Sequence, residues 1–246
     1  MAEKNIRLDI EYDGTRFSGW QVQANANTIQ GYIEEALEKI TGQKVAIHSA
    51  GRTDAGVHAL GQVANFWIDH HIAPEKYKDA LNYYLPHSIL IINASETEPG
   101  FHARKSAKWR HYQYRIGRRK SALHFNHRWE YEYPLDISRM NEIAQFILGV
   151  HDFAAFCVVS SLKENNESNI MQSGWIETED ELIYEVRGNR FLHTMVRSLV
   201  GTMVQAGREK DYLTLTQFKD ILNSLDHTKI ITVAPARGLY LKAVGY

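Results

Sequence analysis

Ile6, Leu8, Ile10 and Tyr12 alternate with Arg7, Asp9 and Glu11, the period of a strand with one face buried. The next stretch, DGTRFSGWQVQANAN (13–27), is polar, contains glycine and has no period, so it reads as a loop. Ile29, Ile33, Leu37 and Ile40 then recur at helical spacing, with Asn27 or Thr28 able to cap the start and Gly42 just past the end. KVAIHSA (44–50) and GQVANFWI (61–68) read as strands flanking a short charged segment, GRTDAGVHAL. Pro74 opens a short helix with Tyr77, Leu81, Tyr84 and Leu85 on its apolar side.

A similar order returns after residue 106. AKWRHYQYRIG (107–117) alternates and is rich in aromatics, as a strand would be. Asp136 can cap a helix with Met140, Ile143, Ala144 and Ile147 inward and Gly149 as its stop. SSLKENNESN (160–169) is strongly polar and reads as a mobile insertion. WIETEDELIYEVRG (175–188) looks like a hairpin, RFLHTMVRSLVGTMVQA (190–206) is the longest predicted helix, and a short helix from Thr216 and the strand LYLKAVG (239–245) close the chain. The pattern predicts an α+β protein of two related halves, 1–106 and 107–246, sharing a largely antiparallel mixed sheet with helices on one face.

With 246 residues the chain can bury a sizeable core. Its one cysteine, Cys157, excludes an intramolecular disulfide and fits a reducing cytosol. The N-terminus already alternates like a strand and has no apolar core of a signal peptide. No apolar run approaches the ~18 residues of a membrane span. The net charge of −1 argues against a uniformly basic polyanion binder, but its distribution is uneven. Residues 101–130 hold nine Lys or Arg against one acid, Glu130, a net of +8. Residues 131–180 hold two basic residues and nine acids, a net of −7. This leaves open either a local basic surface for a polyanion or charges spread over several solvated faces.

The chemistry narrows by elimination. The chain has no cysteine pair and no H-E-x-x-H, so a zinc site is not expected. Neither phosphate-binding glycine motif occurs, nor the G-x-S-x-G of a serine nucleophile. What remains is Asp54. A carboxylate can act as a nucleophile when it is charged, held still and open to substrate. Arg52, two residues away, could support it, and Gly51 and Gly56 permit tight backbone and close approach by a ligand. T-D-A-G is also the composition of an ordinary Asx turn, and the residues alone leave both readings open. Arg110, Tyr112 and Tyr114 share one face of their strand by the period of two, and tyrosines beside cations suit base stacking, although Tyr114 reads as core. Arg190, His193 and Arg197 fall along the edge of an apolar helix face, where an arginine either meets a carboxylate or phosphate or reaches to water.

AGRTDAGVHALGQVANF resembles the active-site motif of the TruA-type tRNA pseudouridine synthases. YDGTRFSGWQ, FHAR, RHYQYRI, GNRFLHTMVR and GLYLKAVGY resemble that family's other motifs, in order, over nearly the whole chain. The resemblance implies Asp54 as the nucleophile, Arg52 as a support for the flipped nucleotide, Tyr112 stacked on the target uracil, Arg197 paired with Asp54 and Leu239 packed against the base. It implies two α+β halves with a cleft between them and a homodimer that binds two tRNAs. The expected target is uridine on the 3′ side of the anticodon loop and the adjoining stem. The implied reaction is an isomerisation, which needs no metal and no cofactor. Arg104, Lys105, Lys108 and Arg110 are the expected phosphate contacts, His58 is expected to be a structural hydrogen-bonding residue, and no membrane or protein partner is implied. An RNA-binding protein without chemistry, indifferent to Asp54, and a base-releasing nucleosidase, which would need a second carboxylate, are the rival readings.

Overall fold

The structure, a computed structural model, describes residues 3–230 and 232–246. The chain divides into two units, Met1–Lys108 together with Tyr240–Tyr246, and Trp109–Leu239. The sequence pattern placed the last strand with the second half. It packs in the first unit instead, because it pairs in parallel with a strand there (Tyr240 with His58, Leu241 with Ala59).

In the first unit, β1 (Lys4–Tyr12) lies between β3 (His58–Ile68) and β4 (Ile89–Thr97), antiparallel to both. β2 (His48–Ser49) pairs with β3 on a short antiparallel register, and β10 (Leu239–Gly245) lies along β3. The period-two pattern of β1 turns Ile6, Leu8 and Ile10 fully inward, each contributing about 2 kcal/mol by burial. α1 (Ile29–Thr41) begins at Thr28, whose hydroxyl accepts the Gly31 N–H, and buries Ile29, Ile33, Ala36 and Leu37. α2 (Lys76–Tyr84) buries Tyr77, which meets Phe66 of β3 edge-on, and Leu81, while Tyr84 is exposed.

Two differences from the sequence pattern have local causes. The expected strand 44–50 shrinks to two residues, because the Ile47 N–H is taken by the Glu34 carboxylate of α1 and not by a neighbouring strand. β4 escaped the pattern because Leu90 and Ile92 on its outward face are as apolar as Ile89 and Ile91 inside, which hides the alternation.

The second unit carries an antiparallel run, β5 (Trp109–Gly117) on β9 (Glu181–Gly188), β9 on β8 (Glu167–Glu177), and β8 on β7 (Gly149–Asp152). β6 (Trp129–Glu130) pairs in parallel with β5. The architecture is α+β, and its sheet is mixed and mostly antiparallel, with β10 on β3 and β6 on β5 parallel. α3 (Ile137–Phe146) is capped by Asp136 and tied across β8: Asn141 accepts the Trp175 N–H and Gln145 donates to the Ser173 carbonyl. The long helix expected from 190 begins later, as α4 (Met195–Gly207), because Thr194 sits in the left-handed region at φ +71°. Arg190 and His193 are therefore off the helix. α5 (Leu215–Ser224) starts one residue before Thr216, where Thr214 and Gln217 form a capping box. The polar run 160–169 is built structure. Asn166 is buried with both ends of its amide bonded to Lys163 backbone, and β8 begins at Glu167.

The charge asymmetry folds against itself in this unit. Arg115 and Arg128 both bond Glu181, at 2.8 and 3.1 Å. Arg118 pairs with Glu177, Arg119 with Asp180 at 3.5 Å and Lys120 with Glu132 at 3.0 Å. Among the described residues, Arg115, Arg118, Arg119, Lys120 and Arg128 of the basic stretch thus meet the carboxylates of Glu132, Glu177, Asp180 and Glu181.

Glu181 is the deepest of these pairs, with Arg128 only 2% exposed. Burial pushes the Glu181 carboxyl up, but hydrogen bonds from Arg115 and Arg128 and their charges outweigh it, leaving it below its ordinary 4.5. A depressed carboxyl contributes its stability in full above the unfolded value and loses it as pH falls through the folded one. Glu181→Gln should cost about 3 kcal/mol at neutral pH, since it leaves Arg128 buried without its counter-charge. The gap between wild type and variant in urea unfolding should narrow as pH drops below 4.5. An equal gap at both pH values would show that the charge of Glu181 is not what matters.

Candidate active site

Asp54 sits, half-buried, on the irregular segment between β2 and β3. What fixes that segment is the loop after β1. Trp20 donates its backbone N–H to the Thr53 carbonyl at 3.0 Å, and Gly56 donates to the Phe17 carbonyl at 3.3 Å. The two backbones touch so closely that side chains are excluded. A Cβ on Gly14 would lie 2.0 Å from the Val57 carbonyl oxygen, and one on Gly19, at φ +93°, would lie 2.7 Å from the Thr53 oxygen. The segment then closes on itself through Val57 N–H to the Asp54 carbonyl, with Gly56 at φ +75° making the turn. T-D-A-G is thus a turn in the structure, with Asp54 at its start.

Arg52 is exposed and forms no ion pair among the described residues. It is therefore not a standing partner of the carboxylate. His58 is buried and stacks on Tyr240, ring centroids 4.7 Å apart. Its Nδ1 lies 3.1 Å from both the Gly14 N–H and Asp13 Oδ1. Without a proton that nitrogen accepts from Gly14; with one it donates to Asp13. Either way it ties the first residue of β3 to the bracing loop, in keeping with a structural role.

The remaining expected residues lie in the second unit. Tyr112 is 8% exposed, on the inward face of β5, and meets Phe191 edge-on at 5.1 Å. Tyr114, two residues on, is core: it is fully buried and donates its hydroxyl to the Pro235 carbonyl at 2.7 Å. Burial pushes its phenol well up, against the opposing charges of Arg197 and Arg237. Arg197 stands in the first turn of α4, half-buried. Its Nε donates to the Ala234 carbonyl at 2.8 Å, and the Ala234 N–H returns to the Arg197 carbonyl at 3.1 Å. This clasp fixes the plane of the guanidinium. Leu239, buried, follows the turn Ala236–Gly238 that packs on the Tyr114 ring. Arg110 donates to the Asn189 carbonyl at 2.8 Å.

Arg104, Lys105 and Lys108 are exposed and belong to the first unit, on a segment laid over the outward side of its sheet. Two buried asparagines anchor it. Asn5 donates to the carbonyls of Glu98 and Phe101, and Asn65 accepts the Ala103 N–H while donating to Asn5. Tyr246 adds a hydroxyl bond to the Ala103 carbonyl. Within the segment His102 accepts the Arg104 N–H through Nδ1. Burial first, then the charges of His48 and Lys105, hold its imidazole below its ordinary value. Lys105 and Lys108 carry no ion pair among the described residues.

In the sequence Gly14 and Gly19 read as loop glycines, and Asn5, Gln62 and Asn65 as ordinary strand residues. The available signal was a polar side chain at a strand position whose neighbours two residues away are apolar, as with Gln62 before Ala64 and Phe66.

Comparisons with known proteins give the family of the chain. A family model described as tRNA pseudouridine synthase matches residues 10–104 and 143–246. The chain is 40% identical over 242 residues to the tRNA pseudouridine synthase A of Brachyspira hyodysenteriae, covering 97% of this chain and 96% of that protein. It is 41% identical over 245 residues to the protein of that name from Thermoanaerobacter sp., covering 99% and 100%. It is 39% identical over the same length to the one from Clostridium acetobutylicum, again covering 99% and 100%. With the family model matching most of its length and these relatives matching from end to end, the chain belongs to the tRNA pseudouridine synthase family.

Proposed function

We propose that the protein isomerises uridine to pseudouridine in tRNA, with Asp54 as the nucleophile, and that its targets lie on the 3′ side of the anticodon loop and the adjoining stem. The observation that carries the reading is the Asp54 segment, a half-buried carboxylate on backbone clamped from one side by the 13–20 loop. Such a segment presents a fixed charge to a nucleotide taken out of its stack. The reaction breaks the bond from ribose to the uracil nitrogen and makes one from ribose to a ring carbon. One proton leaves that carbon and one is gained at the nitrogen, so no electrons are exchanged and no metal or cofactor is required.

In this reading the Tyr112 ring stacks on the uracil, with Leu239 against the base. Arg197, its plane set by Ala234, is the charged partner of Asp54, and the exposed Arg52 supports the displaced nucleotide. Arg104, Lys105, Lys108 and Arg110 take phosphates. The acting form is a homodimer, as the family resemblance implies.

Asp54→Asn keeps size and hydrogen-bonding capacity but removes the charge and the nucleophile. Single-turnover pseudouridine formation should fall by several orders of magnitude, while the variant stays folded and its affinity for tRNA changes little, because phosphate contacts dominate affinity. A near-normal rate would place the nucleophile elsewhere. Product analysis on unmodified tRNA separates the rivals: free uracil would mean a nucleosidase, and unchanged tRNA a binding protein.

Lys105→Ala and Lys108→Ala should each weaken tRNA binding and shallow the dependence of log affinity on log salt by roughly 0.7–0.9. The same change at Lys120, already paired with Glu132, should leave that slope within error. Slopes unchanged at Lys105 and Lys108 would show that this segment is a solvated face.

A further inference from the structure

Behind the Asp54 segment lies a chain of buried polar groups that the chemistry above does not use. Gln62, on β3, is fully buried. Its side-chain amide donates to the Gly51 carbonyl at 2.8 Å and reaches the Tyr12 hydroxyl at 3.4 Å, while its oxygen accepts the Val63 N–H at 3.2 Å. Tyr12, the last residue of β1, is 3% exposed, and its hydroxyl lies 2.8 Å from Thr53 Oγ1. Thr53 is itself buried. With Gln62 donating to the Tyr12 oxygen, the phenol can give its own proton to Thr53. Both ends of this chain fall on the segment under discussion. Gly51 and Thr53 flank Arg52, and Thr53 immediately precedes Asp54.

Polar groups in such a place cost stability unless each is bonded, and apolar side chains of the same shape would fill the space at lower cost. What they supply is direction. Two hydrogen bonds from the rigid strands β1 and β3 fix a carbonyl and a hydroxyl on the segment at defined distances, which close packing alone does not do. The bracing loop is drawn into the same device, since the Tyr12 ring also packs on Trp20, centroids 6.0 Å apart, and Trp20 bonds the Thr53 carbonyl. We propose that Gln62, Tyr12 and Thr53 form a positioning relay that sets where Asp54 and Arg52 stand, with Tyr12 and Gln62 as positioning residues for the reaction. The proposal rests on the reading of Asp54 as the nucleophile.

Tyr12→Phe removes one oxygen and keeps the ring and its contact with Trp20. Thr53→Val keeps the shape of its side chain and removes the hydroxyl. Each should lower the single-turnover rate on tRNA about 10- to 100-fold, the scale of a displacement near 1 Å at a reacting group. The dissociation constant for tRNA should stay within about twofold, since phosphate contacts set it. Because the two groups act through one bond, the double variant should be no more than about threefold worse than the slower single variant. Thr53→Ser, which keeps the hydroxyl, should restore most of the rate. Far-UV circular dichroism and melting curves establish that the variants are folded.

Wild-type rates in Tyr12→Phe and Thr53→Val, or losses that multiply in the double variant, would overturn the relay. Asp54→Asn run alongside separates this from a failure of the underlying reading. An inactive Asp54→Asn with wild-type Tyr12→Phe sinks the relay alone, whereas an active Asp54→Asn sinks both.

Discussion

The contact on which the first unit turns is backbone against backbone. Where the loop after β1 crosses the Asp54 segment, the space between the two chains at Gly14 and Gly19 is too small for a methyl group. Hydrogen bonds from Trp20 and Gly56 can form only at that separation. Packing this close removes the slack that side chains would introduce, so a segment without regular structure acquires the definition of a strand. The loop is fixed in turn at its far end, where Ser18 and Gln30 exchange backbone bonds with Asn27 and Trp20 at the start of α1. The strands, the first helix and the charged segment are thereby tied in one mesh.

A different constraint shapes the basic surface. The long run of cations in the sequence is not one patch. Its second half lies on β5 and the loop that follows, where strand pairing brings it beside Glu177, Asp180 and Glu181. Individual exposed pairs of this kind contribute little to stability, but they cancel the field that an uncompensated run would project. The first half lies on the 98–108 segment, where the anchoring groups are the neutral amides of Asn5 and Asn65. Neutral anchors hold the backbone in place without consuming the charge of Lys105 and Lys108. Arg7, on the same side of the sheet, is paired with Asp9 and lies over the rings of Phe101 and Tyr246.

The same economy governs Arg197. A guanidinium has one plane, and a single bond from Nε to the Ala234 carbonyl fixes it. The segment 234–238 is itself held by the Tyr114 hydroxyl at Pro235. A core tyrosine therefore positions, through the backbone, the arginine that the family resemblance assigns to the reaction.

Much of this was legible in the chain. Strong periods gave β1, α1, α3 and the β8–β9 hairpin, because side-chain burial at period 2 or 3.6 is a local property of consecutive residues. The short motif around Asp54 stood out through its resemblance to a family motif, since T-D-A-G alone is also the composition of an ordinary turn. Other features were decided by residues far apart in sequence. β4 is apolar on both faces, so only its pairing with β1 reveals it. α4 starts late because Thr194 takes a left-handed conformation that no local pattern announces. The +8 run divides into paired and exposed cations only when β9 is laid beside β5. Gln62 and Tyr12 look like ordinary strand residues until Tyr12 is brought against Gln62 and Thr53, fifty and forty-one residues away. Hydrophobic pattern specifies which face of an element is buried; what that face meets, and so which polar atoms find partners, is settled only when distant segments close on one another.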